Sequence, residues 1–164
     1  MKNKIPLFKV YMTDTAGDAA KEVLYSGYIG QGPKSEEFED KLKGFLTNDL
    51  VLLINAATSA EHLAIHLLKK PFETYYNNEH HKWPGIQDGD EVLSPPLTCT
   101  ATNFPTLANN LKIKWVDIDP TNLNMDLDDL ARKITPKTKV IMAVHWAGYP
   151  CLLYTSDAAD EEDS

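Results

Sequence analysis

The sequence predicts an α/β fold, a mostly parallel sheet flanked by helices. Three observations carry this reading. Strand-like and helix-like patterns alternate along the chain, the order that right-handed crossovers produce. The first strand-like run, "LVLLIN", is continuously apolar rather than alternating, as a strand covered on both faces is. Three stretches rich in small or polar residues, Asn55–Ser59, Ser94–Thr100 and His145–Gly148, fall just past strand ends, where such sheets gather ligands.

Taken in order, Thr13 or Asp14 can cap a short helix ending near Ser26-Gly27. Gly27 to Lys34, "GYIGQGPK", reads as a loop because of its three glycines and one proline. Ser35 caps a second helix, "SEEFEDKLKGFL", with Phe38, Leu42, Phe45 and Leu46 as its inner stripe and Glu36-Glu37 at its positive end. The strand "LVLLIN" follows, then a helix from about Ala57 with Ala60, Leu63, Ala64, Leu67 and Leu68 facing inward. Residues 70–89 are polar and aromatic and read as a long surface loop. "DEVLSP" is a second strand, and "TATNFPTLANN" a helix with Pro105 in or near its first turn. "KIKWVDID" is a third strand, "MDLDDLARKI" a capped helix, and "TKVIMAVHWAG" a fourth strand running into a turn at Gly148.

With 164 residues the chain can bury a core, and 43% hydrophobic with 24% charged residues is ordinary for a globular protein. No apolar run approaches the roughly 18 residues a bilayer crossing needs. The start, "MKNKIPLFKVYMTD", has no apolar core of signal-peptide length, and two cysteines, Cys99 and Cys151, make no disulfide framework. These features predict a cytoplasmic protein. The net charge of −8 argues weakly against nucleic acid. Five of its 24 acids (Asp157, Asp160, Glu161, Glu162 and Asp163) crowd the last 14 residues, leaving 19 acids against 16 bases elsewhere, so overall charge says little about partners.

The turn Asn55–Ser59 is the most informative stretch. A helix beginning near Ala57 points unsatisfied N–H groups, and the positive end of its dipole, at the strand end. Small residues let an anion approach the backbone, and Thr58 and Ser59 add hydroxyl donors. The turn lacks the lysine of a P-loop and the spacing of GxGxxG. The plain alternative is a hydroxyl-rich helix cap with no ligand.

Five motifs in order, "GYIGQGPKSEEFEDKL", "NAATSAEHLAI", "GDEVLSPPLTCTATN", "VDIDPTNLNMDLDDL" and "ITPKTKVIMAVHWAGYP", resemble the DegT/DnrJ/EryC1/StrS aminotransferases. The similarity covers about residues 5–150, with an apparent insertion at 70–85. It implies the N-terminal part of the type I pyridoxal-phosphate aminotransferase fold, with residues 1–150 an incomplete large domain. It implies a homodimer at full length. It also implies transfer of an amino group, usually from glutamate, onto a nucleotide-linked keto-sugar for polysaccharide or secondary-metabolite synthesis. By the same resemblance, Ala57, Thr58 and Ser59 hold the phosphate of pyridoxal 5′-phosphate. Cys99 stands where relatives place an aromatic residue against the cofactor ring, and Tyr28, Gln31 and His145 are substrate-side candidates.

The chemistry needs a lysine to form the Schiff base and an acid to pair with the pyridine nitrogen. In the family both lie beyond "VHWAGYP", so this chain is expected to hold no catalytic residue and to be inactive alone. Residues 151–164 depart from the family pattern and are expected to be an artefactual, disordered acidic tail. Two further readings stand beside this one. The first is a non-catalytic binding or regulatory domain on the same scaffold; the second is a pyridoxal-phosphate sugar dehydratase.

Other clusters carry less. His62 and His66 are spaced to share a metal, with His80-His81 in the polar loop as a further donor, but no third ligand has motif spacing. Asp117, Asp119, Asp126, Asp128 and Asp129 lack EF-hand spacing and read as caps and turns. Tyr75, Tyr76 and Trp83 form a loop aromatic cluster that could also be a sugar platform or partner patch.

Overall fold

The computed structural model describes residues 9–76 and 78–150. The chain divides into two units, Met1–Leu53 and Ile54–Ser164. The acidic tail and Cys151 lie outside the described residues.

In the first unit, helix α1 spans Ala16–Ser26 with Thr15 at its N-cap, and Gly27 closes it at φ +84°, the left-handed conformation glycine adopts without strain. Helix α2 spans Pro33–Leu46. It starts two residues before the expected cap at Ser35, because Gly32 is the N-cap and Pro33 occupies the first helical position, where its missing N–H costs nothing. The expected inner stripe is not enclosed. Phe38, Phe45 and Leu46 are exposed, and no residue of α2 is fully buried. Among the described residues of this unit, two helices provide no second layer to close over that stripe.

Another departure follows where the first unit ends. Residues 51–54 of "LVLLIN" form no strand, because no neighbouring strand offers them a hydrogen-bond ladder among the described residues. Helix α3 follows at Ala57–Leu67. Its buried residue is Ile65; Ala60, Leu63, Ala64 and Leu67 are exposed, and Leu68 is half-buried. The face toward this unit's core is therefore rotated from the expected one.

The expected loop at 70–89 contains a hairpin. Strands β1 (Phe72–Tyr76) and β2 (Glu79–Trp83) pair antiparallel, with Phe72 opposite Trp83 and Tyr75 opposite His80. Aromatic and β-branched residues favour strands even where polar neighbours suggest a loop. The base of the hairpin is fixed to the end of α3: Trp83 Nε1 donates to the Leu68 carbonyl at 2.6 Å, and the Ile86 N–H donates to the same oxygen at 3.1 Å. Gly85, at φ +82°, lets the backbone pass directly over the Lys69 carbonyl, where a β-carbon would collide.

The main sheet has three parallel strands in the order β4-β3-β5: β3 is Glu91–Ser94, β4 Lys112–Trp115 and β5 Thr138–Ile141. Alternation along β3 feeds two cores. Val92 joins Ile65, Ile86 and Leu111 on one face, and Leu93 joins Val116, Met125 and Leu130 on the other. Ile65 comes from α3, and Leu130 from helix α5 (Leu127–Lys133), so helices cover both faces. The parallel sheet flanked by helices is as the sequence predicts. Each such buried aliphatic side chain contributes about 1.5–3 kcal/mol.

Helix α4 spans Thr100–Ala108 and packs on α3. Pro105 sits well inside it rather than in the first turn; lacking an N–H, it withdraws one intrahelical bond, and the helix stops three residues later. In α5, Asp126 is the N-cap and its side chain accepts from the Asp129 N–H at 2.9 Å. The fourth strand is shorter than expected. After Ile141 the chain leaves the sheet and makes a single 3₁₀ turn at Trp146–Gly148, with Ala147 at φ +53°.

Candidate functional site

Helix N-termini differ in how each meets its own positive end. Helix α1 carries Asp18 in its first turn, α2 Glu36, and α5 both Asp128 and Asp129. Helices α3 and α4 carry no acid there. Neither has a side-chain capping bond, since Ala56 and Cys99 occupy the N-caps. The two helix ends left electrostatically open are thus the two that follow ligand-side stretches picked from the sequence.

At α3 the details favour an anion. The Ala56 carbonyl accepts from the Ser59 and Ala60 N–H groups at 3.0 and 3.1 Å, which closes the first turn. The Ala57 and Thr58 N–H groups have no intramolecular acceptor among the described residues. Thr58 and Ser59 are half-buried, and their hydroxyls make no hydrogen bond within the described residues. They occupy the second and third helical positions rather than the cap, so the plain reading of a hydroxyl-capped helix does not describe this turn. Two N–H groups and two hydroxyls at a helix N-terminus without an acid in its first turn suit a phosphoryl group.

At α4, Cys99 is an exposed thiol. The loop leading to it is held from below: Ser94 Oγ donates to Asn103 Oδ1 at 2.7 Å, with both residues buried, and Thr98 Oγ1 donates to Thr102 Oγ1 at 3.0 Å. His145, also exposed, precedes the 3₁₀ turn, and its carbonyl accepts from the Gly148 N–H at 3.0 Å. Cys99 and His145 follow the neighbouring parallel strands β3 and β5, so both lie beyond carboxyl ends of the sheet. The Trp146 N–H donates to Asn124 Oδ1 at 3.4 Å, tying that turn to the segment before α5. Tyr28 and Gln31 belong to the first unit, in the loop between α1 and α2.

Sequence reading missed the open end of α4 and the Ser94–Asn103 bond beneath it. The absence of any acid after Cys99 was the available signal for the first; the second depends on a contact between strand and helix that no spacing encodes.

The remaining clusters find structural uses. Asp119 accepts from the Thr121 N–H and hydroxyl and from Asn122 Nδ2. Asp129 is buried; the Asp117 N–H, then Lys133 and Arg132, hold its carboxyl down to about 2. The His62 carbonyl accepts from Asn109 Nδ2. Among the described residues no group of three His, Cys, Asp or Glu side chains could hold a metal ion, and no helix is long and apolar enough to cross a membrane.

The DegT/DnrJ/EryC1/StrS aminotransferase family pattern matches residues 11–161. The chain belongs to this family. Among solved structures, AtS13 from Actinomadura melliaura superposes with a TM-score of 0.77 at 44% identity, over 98% of this chain and 40% of that one. Spr1654 from Streptococcus pneumoniae in its PMP form gives 0.73 at 30% identity, over 90% and 33%; the same protein is also known in a PLP form. Among curated relatives, the dTDP-4-dehydro-2,3,6-trideoxy-D-glucose 4-aminotransferase of Saccharopolyspora spinosa is 31% identical over 135 residues, 81% of this chain and 31% of the relative. The chain spans about a third of the length of the curated relatives it matches.

Proposed function

We propose that this chain is the N-terminal part of a pyridoxal-phosphate aminotransferase that moves an amino group, with glutamate as donor, onto a nucleotide-linked keto-sugar. The observation that carries the reading is the α3 N-terminus, with no acid in its first turn and with two N–H groups and two hydroxyls that find no partner among the described residues. Solved relatives in PMP and PLP forms support the cofactor, and a curated relative that aminates a dTDP-linked keto-sugar supports the substrate class. In this reading the protein works in the cytoplasm as a homodimer, in the synthesis of polysaccharide or secondary-metabolite sugars.

When bound, the cofactor supplies an electron sink for the carbon that loses or gains the amino group. The residues of this chain position it. Ala57 and Thr58 would present N–H groups to a phosphoryl group, and the Thr58 and Ser59 hydroxyls would donate to it as well. Cys99 would stand beside the ring, where a thiol packs but offers less contact than an aromatic side chain. Tyr28, Gln31 and His145 are substrate-side residues.

The test uses a polypeptide extended past residue 150 to the length of the relatives. With pyridoxal 5′-phosphate it should develop a visible absorbance band that borohydride abolishes. A folded, extended polypeptide with no such band at saturating cofactor contradicts the proposal. A band without amino transfer to any keto-sugar moves the assignment to the dehydratase or regulatory reading. The 164-residue chain alone should show no turnover.

A further inference from the structure

The passage from β3 into α4 is tied by side chains rather than by a backbone ladder. Strand β3 stays paired to its end: the Leu93 carbonyl accepts from the Met142 N–H at 2.8 Å and the Ser94 carbonyl from the Val116 N–H at 3.0 Å. Pro95 and Pro96 follow, with fixed φ and no N–H to donate. The Thr98 N–H bonds only locally, to the Pro96 carbonyl at 3.1 Å. Two side-chain bonds bridge the turn, Ser94 Oγ to Asn103 Oδ1 at 2.7 Å and Thr98 Oγ1 to Thr102 Oγ1 at 3.0 Å.

The first of these is unusual. Ser94 has no exposed surface and Asn103 keeps 9% of its own. Among the described residues theirs is the only hydrogen bond between two buried side chains. Such a pair adds little stability over two apolar groups of the same shape, because both partners give up water to meet. What it adds is direction: a hydroxyl bond is strongest at one distance and angle, whereas an apolar contact tolerates sliding. The bond joins the fixed end of the central strand to a residue about one helical turn past Cys99, the N-cap of α4. It therefore sets where Cys99 and the start of α4 stand, at the carboxyl end of the sheet where ligands gather.

We propose that Asn103 is a positioning residue for the cofactor ring: through Ser94 it holds the β3–α4 loop so that Cys99 stands at one fixed place beside that ring. This inference rests on the cofactor reading above and adds to it a residue that acts through the loop rather than by contact. Replacing Asn103 leaves both prolines and the Thr98–Thr102 bond in place, so the turn persists while Cys99 is free to shift.

The test is a double-mutant cycle on Ser94→Ala and Asn103→Leu, read two ways. Urea unfolding of the 164-residue chain reads stability. Titration of the extended polypeptide with pyridoxal 5′-phosphate, and the circular dichroism of its visible band, read cofactor affinity and ring orientation. Asn103→Leu leaves the Ser94 hydroxyl buried without its acceptor and should lower the urea midpoint; the double variant leaves no polar partner behind and should recover it. Cofactor binding should not recover. Both single variants and the double should bind about tenfold more weakly, with an altered dichroism, as loss of a residue supporting a ligand contact does. The effects should not add, because both substitutions break one bond. If the bond serves stability alone, the double variant regains affinity and dichroism along with its midpoint, and the proposal is overturned. Should the double variant fail to fold, Ser94→Ala decides alone: it deletes the donor without adding bulk, and unmodified affinity and dichroism in that variant overturn the proposal. No visible band in the unmodified extended polypeptide removes the cofactor reading and this inference with it. A band that Asn103→Leu leaves unchanged overturns this inference and leaves the cofactor reading standing.

Discussion

Replacing Thr58 and Ser59 by alanine should separate binding from stability. Both hydroxyls lack intramolecular partners among the described residues, and the first turn of α3 is closed by the Ala56 carbonyl. Removing them should therefore change the unfolding free energy by no more than about 0.5 kcal/mol. Were they helix caps, each loss would cost about 1 kcal/mol. Against a phosphate dianion each hydroxyl makes a charge-assisted bond, and losing one costs about 1.5–3 kcal/mol. That is about tenfold to a hundredfold in Kd for each residue. Urea unfolding followed by tryptophan fluorescence gives the first quantity. Spectrophotometric titration of the extended polypeptide with pyridoxal 5′-phosphate gives the second. The reasoning fails if the double variant loses about 2 kcal/mol of stability or binds the cofactor as tightly as before.

A carboxylate at the same place should act with opposite signs: Ser59→Asp should stabilise α3 by about 0.3–1 kcal/mol through the helix dipole while repelling the phosphate, read by the same two assays. Leu93→Ala empties a site with no solvent exposure between Val116, Met125 and Leu130, and should cost about 3–5 kcal/mol in urea unfolding, against under 1 kcal/mol for Leu67→Ala at 52% exposure. Gly85→Ala forces a methyl group against the Lys69 carbonyl at positive φ and should lower the thermal midpoint by several degrees. Asp129, with its carboxyl held down to about 2 in the folded protein against about 3.9 unfolded, lends stability that is present above pH 4 and lost as pH falls toward 2. Asp129→Asn should flatten thermal midpoint against pH in that window; an unchanged slope would remove Asp129 from the account.

Legibility in the sequence followed how local each cause was. Helices α1, α2 and α5 were visible through glycine stops, first-turn acids and caps, β3 through a short apolar run between turn residues, and β4 through the alternating "KIKW". "LVLLIN" misled because an apolar run makes a strand only when another strand lies beside it. The inward face of α3 was misassigned for a related reason: two apolar stripes compete on that helix, and contact with Ile86 and Val92 selects the one holding Ile65. The hairpin was hidden by its polarity, although its aromatic residues were noted. At the site, Thr58 and Ser59 could be named from residue type and spacing. That Ala56, and not a hydroxyl, occupies the cap required the backbone angles.

The central claim is that the start of α3 grips a phosphoryl group. The most direct measurement is the affinity of the extended polypeptide for pyridoxal 5′-phosphate beside its affinity for pyridoxal, which lacks that group. The account predicts that the phosphorylated form binds at least about a hundredfold more tightly, and that the Thr58 and Ser59 double alanine variant narrows the ratio. Equal affinity for the two compounds would contradict it.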